Sequence, residues 1–489
     1  MICEICSENQ VSFIISIVLD SGLKELRVCG ECATNGMKHE DPHISHKIED
    51  NGLVCSHCHS RYQYDKTDYC APVLGCPWCY TQFHEAMIPL LRRIHGSTKH
   101  KGKSALVPSN PPDLVPPSNG RTAELRNGRT ERLPFSLSSI STREAEWMQG
   151  KGPSFDVVVS SRIRLARNID GYSFCNLANQ NELYEVAGKI EKALADLAES
   201  DHSPLRNGYV VDLEDVDNVD RDFLMERHLI SRDLAEKRFA RRVIIDEKEI
   251  ISIMINEEDH VRLQVVDSGL QIRELWGMIN NIDDRLGNKV DYVYSPDWGF
   301  LTACPTNVGT GLRVSVMFHI PALSATKEGK RILKSITNMG YAIRGIYGEG
   351  SRATGAFYQI SNEATLGQSE EEIIDRMQSV AFQILARERE ERQNLLERNR
   401  TKLEDIVFRA YGTLANARSI SSTESMQLLS WVSLGISLDV LSGLNVADIA
   451  RLLVLTRPAH LQKLEGKELN VPTQNINRAK VIRTVLKNV

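Results

Sequence analysis

The chain has 489 residues, of which 42% are hydrophobic and 25% are charged, with a formal net charge of −5. This composition predicts a folded protein of roughly three domains and argues against a disordered tail or a basic nucleic-acid coat. No apolar stretch approaches the roughly 20 residues that span a membrane. The N-terminus lacks the basic and apolar regions of a secretory signal, so we expect the chain to stay in a reducing cytoplasm, where disulfides are rare.

Residues 1–103 are predicted to form a zinc-binding module. Nine of the eleven cysteines fall in the first 80 residues, and eight of these nine form four Cys-x-x-Cys pairs. Two such pairs about 20 residues apart can supply the four thiolates of a tetrahedral zinc ion. Redox-active dithiols and a disulfide framework are the alternatives, His57 and His59 are competing ligands, and Cys70 is expected to be a bystander. The predicted ligand sets are Cys3, Cys6, Cys29 and Cys32 for one ion, and Cys55, Cys58, Cys76 and Cys79 for the other.

Residues 104–139 are rich in Pro, Ser, Asn and Gly, which predicts a linker that is flexible or partly polyproline-like.

Residues 140–390 are predicted to form an α+β domain. Apolar, β-branched runs indicate strands, and several of them are joined by loops too short for crossover helices, which favours an antiparallel sheet. Helical periodicity between these runs predicts helices that flank the sheet. The strands are expected at 155–159, 250–255, 261–266, 290–294, 312–320 and 341–347, and the helices at 181–198, 270–286 and 321–339.

Residues 391–489 are predicted to form a separate helical domain. A long, charged amphipathic helix over 370–400 leads into apolar helical stretches at 423–434 and 446–455, with no strand signals between them. The length of this region suits a dimerisation domain.

Four strand–loop junctions place charged groups where a structural protein seldom has them. Arg162 and Arg164 are alternate residues of an extended chain and therefore share a face, which suits an anion. The segment 256–262 has three acids in a turn and then an arginine. A small-residue loop over 302–313 has a thiol at one end and an arginine at the other, and 344–350 joins an arginine to a Gly-flanked carboxylate. Together these junctions predict a polyphosphate held by arginines and facing carboxylates that grip a cationic acceptor.

These junctions also carry a resemblance to a known family. The strings SSRIRLARN (160–168), INEEDHVRLQ (255–264), LTACPTNVGTGLRVSVM (301–317) and RGIYGEGS (344–351) resemble the signature blocks of the phosphagen (guanidino) kinases, and specifically of the McsB family of protein arginine kinases. Residues 1–103 resemble the zinc-binding part of McsA, the activator of that family. The chain thus resembles an activator fused to a kinase.

The resemblance implies roles for individual residues. It implies that Glu258 and Glu349 grip the acceptor guanidinium, one of them acting as general base, and that Cys304 is the family's reactive cysteine, its thiolate held by neighbouring cationic charge. Residues expected to bind ATP are Ser160, Ser161, Arg162, Ile163, Arg164, His228, Arg262, Gly309, Thr310, Gly311, Leu312, Arg313, Arg344, Gly345, Ile346, Tyr347 and Gly348.

The same resemblance implies ATP, Mg²⁺ and two structural Zn²⁺ ions, and a role in protein quality control and the stress response. It implies protein substrates with exposed arginines, a homodimer through the helical domain, a Clp-type AAA+ unfoldase and a heat-shock repressor as partners, without membrane association or direct nucleic-acid binding. A protein-borne arginine is favoured over free arginine, because a linker stands where kinases of small guanidines have a helical domain. Three alternatives are a kinase of free arginine, a catalytically weak zinc-containing adaptor for a Clp-type protease, and a zinc-ribbon nucleic-acid binder with a nucleotide-sensing domain.

One departure from the family lies near the C-terminus. The family's phosphoarginine-binding motif Arg-Asp-x-x-Arg-Ala is replaced here by residues 474–479, QNINRA. Gln474 and Asn475 stand in place of the arginine and the aspartate, so the bidentate fork for a phosphate is lost. The sequence therefore argues against allosteric sensing of phosphoarginine.

Overall fold

The structure is a computed structural model that describes residues 13–19, 22–28, 53–62, 72–105, 143–199, 203–237, 239–345 and 354–487. The chain divides into two compact units, Met1–Val54 and Cys55–Val489. The first unit contains the antiparallel strands β1 (Phe13–Leu19) and β2 (Gly22–Val28). The first four predicted zinc ligands, Cys70 and nearly all of the predicted linker lie outside the described residues.

The second unit contains the remaining elements that the structure describes. The strands are β3 (Val158–Arg167), β4 (Tyr209–Asp212), β5 (Arg242–Ile245), β6 (Ile251–Ile255), β7 (Val261–Ser268), β8 (Tyr294–Ser295), β9 (Gly299–Phe300), β10 (Leu312–His319), β11 (Tyr341–Gly345) and β12 (Phe357–Asn362). The helices are α1 (Pro77–Gln82), α2 (His84–His95), α3 (Gln180–Ala198), α4 (Asn218–Glu226), α5 (Arg232–Glu236), α6 (Ile272–Gly287), α7 (Pro321–Ala325), α8 (Lys327–Asn338), α9 (Glu370–Asn416), α10 (Ser422–Ser437), α11 (Val446–Leu455), α12 (Pro458–Glu465) and α13 (Val471–Lys487).

Eight of these strands form one sheet in the order β11-β12-β10-β3-β7-β6-β5-β4, and every neighbouring pair is antiparallel. The prediction of an antiparallel sheet flanked by helices is therefore confirmed. β3 extends further than the apolar run 155–159 predicted, because Ser160, Arg162 and Arg164 alternate with buried residues and one face of the strand is polar. The run at 290–294 yields only the two-residue strand β8.

Helices α3 and α6 and the first half of α9 cover one face of the sheet. Their apolar residues join Ile163 and Leu165 of β3 in a single core. The helix predicted over 321–339 is broken at Thr326, whose extended backbone and side chain cap α8 at its N-terminus. On the opposite face, α4, α5 and α12 cover only the β5 and β6 side. The middle of that face is left for polar residues.

The predicted zinc module lies in the same unit as the sheet where the structure describes it, at 55–62 and 72–103, and these residues are called the zinc module below. Its helices α1 and α2 pack in a core with residues that follow β9 and precede β10. This core contains Leu74, Tyr80, Phe83, Met87 and Leu91 from the module, and Phe174, Trp298, Leu301, Ala303, Val308 and Leu366 from the catalytic domain.

Helix α9 joins the catalytic and helical domains. Ser369 caps it through a capping box with Glu372, and three acidic residues in its first turn complement the helix dipole. Its first half packs on the sheet through residues such as Met377, whereas Val407 belongs to the core of the C-terminal helices. The predicted domain boundary at 390 therefore falls within the first part of this helix, ahead of Asn399, where the backbone leaves helical geometry. Among the described residues, no helix is both long and apolar enough to cross a membrane.

Candidate active site and zinc centre

Five predicted arginines are gathered on the open face of the sheet. Arg164 on β3 is paired directly with Arg313 on β10, and Arg262 on β7 is paired with Ala166 of β3. Directly opposed residues of an antiparallel ladder share a face, and so do alternate residues of one strand. The same register carries Arg162 and, through β12, Arg344 of β11 onto this face. These five arginines are called the arginine cluster below.

The electrostatics of the arginine cluster favour an anionic ligand. Burial, together with repulsion from Arg313, Arg262 and Arg344, lowers the pKa of Arg162 to about 10. Burial and the charges of its arginine neighbours also hold the pKa of Arg164 well below its ordinary value. Cations this close repel one another, and a polyphosphate relieves the repulsion while accepting charge-assisted hydrogen bonds.

Two members of the cluster are held by polar residues that we did not predict. Arg162 donates to Gln359 on β12 at 2.9 Å, and Arg313 donates to Ser361 on the same strand at 3.1 Å. Both partners lie on the arginine face, as does Ser315, whose buried hydroxyl has no hydrogen-bond partner among the described residues. The signal in the sequence was the alternation of polar residues along β10 and β12.

The acids of the turn at 256–260 have different environments. Glu257 is fully buried and binds Arg262 at 2.5 Å. Burial alone would raise its pKa, but Arg262 and a hydrogen bond from Ser231 hold the pKa of Glu257 below its ordinary value. Glu258 is 29% exposed, lies 3.2 Å from Arg262 and accepts from Asn307 at 3.3 Å. Burial raises the pKa of Glu258. Glu258 is therefore the accessible carboxylate of this turn, and Glu257 is a structural one.

Asp259 links this turn to the loop 302–308, which is called the Cys304 loop below. Its Oδ1 accepts from the Asn168 side chain and from the Ala303 N–H, both at 2.7 Å. Its Oδ2 is buried and has no hydrogen-bond partner among the described residues. Burial and the charge of Glu258 raise the pKa of Asp259 to about 7. This residue was not predicted, although it stands beside Glu258 in the quoted string.

Cys304 lies close to negative charge in this structure. Its sulfur is 3.0 Å from the Thr306 hydroxyl, and burial together with the charge of Glu258 raises the pKa of the thiol to about 11. The thiolate form expected of Cys304 is therefore not favoured by these neighbours.

The glycine-rich loop before β10 makes backbone hydrogen bonds and close contacts that fix its own conformation. Gly309 donates its N–H to Phe300, and the Thr310 N–H donates to Thr365. Gly309 and Gly311 both have positive φ. A Cβ added at Gly309 would lie 2.3 Å from the Thr365 carbonyl oxygen, and one added at Gly311 would lie 2.6 Å from the Ala166 carbonyl oxygen. The structure thus shows this loop setting the start of β10, which carries Arg313, and its contact with a nucleotide stays a prediction.

The other predicted nucleotide residues are divided between the two faces. Ser160 shares the arginine face, whereas Ser161, Ile163 and Leu312 point into the helix-covered core. Their side chains therefore support the strands rather than the site. His228 has a left-handed backbone, its ring is 5.4 Å from that of Trp147, and burial together with the charges of Arg457 and Arg162 lowers its pKa. Gly345 ends β11, and Ile346, Tyr347, Gly348 and Glu349 lie outside the described residues.

The second predicted zinc set is assembled. The four sulfurs lie within 4.8 Å of one another, with separations of 3.7 Å for Cys55–Cys76, 3.4 Å for Cys58–Cys79 and 3.8 Å for Cys76–Cys79. Zinc–sulfur bonds of about 2.3 Å in a tetrahedron place sulfurs about 3.8 Å apart, so the geometry fits a structural zinc ion. Neither His57 nor His59 belongs to this described cluster.

Comparison with known proteins agrees with this arrangement. Three family models match: the McsA central zinc-finger domain over 53–102, the ATP:guanido phosphotransferase C-terminal catalytic domain over 185–391, and the protein-arginine kinase McsB C-terminal domain over 400–489. A protein-arginine kinase of Halothermothrix orenii is 44% identical over 71% of this chain and 98% of its own length. One from Desulforamulus reducens is 41% identical over 72% of this chain and 98% of its own length.

A solved structure shows the same fold for the catalytic part. The duplicated taurocyamine kinase from Schistosoma mansoni, with bound transition state analog components, is similar with a TM-score of 0.51 and 22% identity. The match covers 65% of this chain and 40% of that one. The fold, the three matching family models and the sequence relatives, which match over nearly their whole length, show that the chain belongs to the protein-arginine kinase family and carries an McsA-type zinc finger ahead of its kinase domain.

Proposed function

We propose that this chain is an ATP-dependent protein arginine kinase that transfers the γ-phosphoryl group of Mg-ATP to the guanidinium of arginine residues in proteins. The observation that carries the proposal is the arginine cluster, one member of which, Arg262, also lies 3.2 Å from the partly exposed carboxylate of Glu258. The cluster suits a polyphosphate, and the carboxylate suits a guanidinium. The names of the relatives favour a protein acceptor over free arginine.

The division of charge suggests a role for each group. Arg162, Arg164, Arg262, Arg313 and Arg344 would hold the phosphates of Mg-ATP, with Mg²⁺ arriving as part of that substrate. Glu258, together with Glu349, would hold the acceptor guanidinium, which is not deprotonated in water near neutral pH. As a guanidinium nitrogen attacks the γ-phosphorus, the N–P bond forms, the P–O bond to ADP breaks, and the nitrogen's proton passes to a carboxylate.

The raised pKa of Glu258 supports its assignment as the group that accepts the proton. A carboxylate whose pKa lies above its ordinary value accepts a proton more readily at neutral pH. Its bond with Arg262 orients it, and Glu257 holds Arg262 from the buried side. Cys304, near the charge of Glu258, would meet the bound guanidinium.

The domain assignments complete the proposal. Residues 1–103 form the activator part with two structural zinc ions, 104–139 the linker, 140–390 the catalytic domain and 391–489 the helical domain. Family membership supports a homodimer through the helical domain, a Clp-type unfoldase and a heat-shock repressor as partners, and a cytoplasmic role in the stress response.

The proposal is tested by incubating the chain with Mg-ATP and either an unfolded protein or free arginine. Acid-labile, base-stable phosphate on the protein is expected. Label on free arginine alone would instead identify a kinase of small guanidines, and label on neither would favour an adaptor. Glu349→Ala should abolish transfer while ATP binding persists, and comparable turnover by that variant would remove Glu349 from the assigned role.

A further inference from the structure

Three exposed apolar side chains lie at the end of the sheet that carries the turn 256–260, which is called the acid turn below. Leu177 is 45% exposed, Tyr184 is 40% exposed and Phe239 is 53% exposed. They are three of the five large apolar side chains that are exposed in the described part of residues 143–390. Single exposed apolar residues are ordinary, whereas several in one place mark a binding surface. These three residues are called the apolar surface below.

The strand order brings the segments that carry these residues to one end of the sheet. β3 ends beside the start of β7 and leads into residues 168–184. β5 begins beside the end of β6 and is preceded by Phe239. The acid turn joins β6 to β7 at this same end. The apolar surface and Glu258 therefore belong to neighbouring segments.

Asn256, the first residue of the acid turn, binds two of these segments directly. It is fully buried, and its side-chain amide donates to the Leu183 carbonyl at 2.8 Å and to the Ala240 carbonyl at 2.9 Å. Tyr184 follows the first of these residues in the chain, and Phe239 precedes the second. One buried side chain therefore fixes both aromatic residues relative to the turn.

Glu214 joins the same two segments through a second contact. Its Oε1 accepts from the Tyr184 hydroxyl and from the Ala240 N–H, both at 2.7 Å. The polar end of Tyr184 is therefore satisfied within the fold, while its ring stays partly exposed. Leu177 lies two residues after Cys175, which is buried in a small cluster with both of the residues that the turn binds.

The apolar surface lies within reach of residues that flank a bound acceptor arginine. Glu258 is two residues from Asn256, a span of at most about 7 Å. In an extended acceptor, residues two to four positions from the arginine lie about 7 to 14 Å from it along the chain. A polypeptide whose guanidinium is bound at Glu258 would therefore bring such neighbours to Tyr184 and Phe239.

We propose that the apolar surface binds apolar side chains that flank the acceptor arginine, and that Leu177, Tyr184 and Phe239 thereby determine which arginines of a polypeptide are phosphorylated. The proposal rests on the proposed function, since that function defines Glu258 as a group that holds the acceptor. Burial of an apolar flanking residue adds binding free energy that is used only by acceptors that carry such a residue. Free arginine has no flanking residues and makes no contact of this kind.

Two acceptor peptides test the proposal. Each contains one arginine, and the positions two and four residues away on both sides are Leu in one peptide and Asn in the other. The wild type should phosphorylate the Leu peptide with a kcat/KM about tenfold higher, because only its side chains are buried on the apolar surface. In Phe239→Ser this ratio should fall below about threefold, while kcat/KM for the Asn peptide changes less than about twofold.

Matched variants separate the apolar contact from a general structural effect. Phe408→Ser, at a 50% exposed phenylalanine in the part of α9 that belongs to the helical domain, should keep the wild-type ratio. Phe239→Leu should keep it as well, since the surface stays apolar. Leu177→Ser should lower the ratio as Phe239→Ser does, and it is the second variant if Phe239→Ser loses its fold. The Kd for ATP should change less than about twofold in every variant.

Three outcomes would overturn the proposal. Equal kcat/KM for the two peptides in the wild type would show that the flanking residues are not recognised. An unchanged ratio in both Phe239→Ser and Leu177→Ser would show that the preference arises elsewhere. A change in the oligomeric mass of these variants without a change in the ratio would identify the surface as an interface between copies of this chain.

Failure of the proposed function gives a different result. If the wild type phosphorylates neither peptide, the chain is not the kinase proposed above. Fluorescence anisotropy of the labelled peptides without ATP then still measures the surface. Tighter binding of the Leu peptide that is lost in Phe239→Ser would support the apolar surface, and equal binding of both peptides would overturn it.

Discussion

Arg164 on β3 and Arg313 on β10 occupy directly opposed positions in the antiparallel ladder of the central sheet. Like charges at such positions destabilise a sheet. The neighbouring Arg162 and Arg262 add to the repulsion, and with burial they lower the pKa of Arg164. An arrangement that the fold alone would disfavour suits an anion bound on this face of the sheet.

Replacing Arg164 should therefore separate stability from binding. Arg164→Gln is expected to increase the free energy of unfolding of the nucleotide-free chain by about 0.5 kcal/mol. It should weaken ATP binding by about tenfold or more, because a charged hydrogen bond is lost. Denaturant unfolding and titration calorimetry measure the two effects. The control Arg387→Gln, at an exposed residue paired with Glu390, should change neither the free energy of unfolding nor ATP binding. A marked loss of stability in Arg164→Gln would show that Arg164 stabilises the fold instead.

Glu258 and Glu257 should respond differently to the same change. Glu258→Gln is expected to lower kcat by about 100-fold or more, with ATP binding preserved because Glu257 still holds Arg262. Glu257→Gln should instead destabilise the fold by about 3 kcal/mol, since it breaks a buried ion pair. Steady-state kinetics and unfolding of both variants distinguish these outcomes, and normal turnover by Glu258→Gln would exclude Glu258 as the base.

Asp259 should make stability depend on pH. Its folded-state pKa of about 7 lies above the ordinary 3.8, so the folded chain binds this proton more tightly than the unfolded chain does. Its stabilising contribution is full below about pH 4 and is lost as the pH rises towards 7. Asp259→Asn cannot titrate, so its stability relative to the wild type should rise between pH 5 and pH 8, by about 2 to 3 kcal/mol. Urea unfolding at both values checks this, and parallel pH profiles would contradict it.

The purified chain should contain two zinc ions. The four sulfurs of Cys55, Cys58, Cys76 and Cys79 already fit one ion, and the four remaining paired cysteines are expected to bind the other. Elemental analysis should therefore give two ions per chain, and the double substitution Cys3→Ser with Cys6→Ser should reduce the count to one. A chelator should lower the melting temperature of the module, whose small core depends on metal binding. One ion in the wild type would show that only the described cluster binds zinc.

Free phosphoarginine should not change the activity. Arg478, the remaining arginine of the family's phosphoarginine motif, is 2% exposed and donates to the carbonyls of Thr456 and Ile420 and to the Asn475 side chain. These bonds use the guanidinium within the fold. Initial rates with and without added phosphoarginine should agree within about twofold. Stimulation that is lost in Gln474→Ala would show that the motif binds a phosphate despite its changed residues.

Much of the site could be predicted because charged residues within an apolar strand pattern mark a face that binds a charged partner. Arg162 and Arg164 were placed on one face from their spacing alone, and the structure puts them there. The paired cysteines 55, 58, 76 and 79 were likewise recognised from spacing, since the reach of a thiolate fixes the loop length around zinc. The roles assigned to these residues depend on the family resemblance as well as on the spacing.

The supporting residues could not be predicted in the same way. Gln359 and Ser361 act through strand register, and Asp259 acts through a contact between its turn and the Cys304 loop. Both kinds of contact are set by the tertiary fold rather than by any local pattern. The family resemblance predicts that nearby cations lower the pKa of Cys304, yet burial and the charge of Glu258 raise it. The direction of the shift depends on which charges the fold brings near the thiol.

The sequence by itself determined the family, the order of the domains, the antiparallel sheet and the residues that carry charge. The sheet and the zinc ligands follow from hydrophobic periodicity and cysteine spacing, and the family follows from the resemblance of the motif strings. All of these need only neighbouring residues. Only the tertiary structure decided that His95 and Tyr80 bond the Cys304 loop about 200 residues away. Hydrogen bonds between distant segments depend on how whole domains pack, and no short-range pattern in a single chain contains that information.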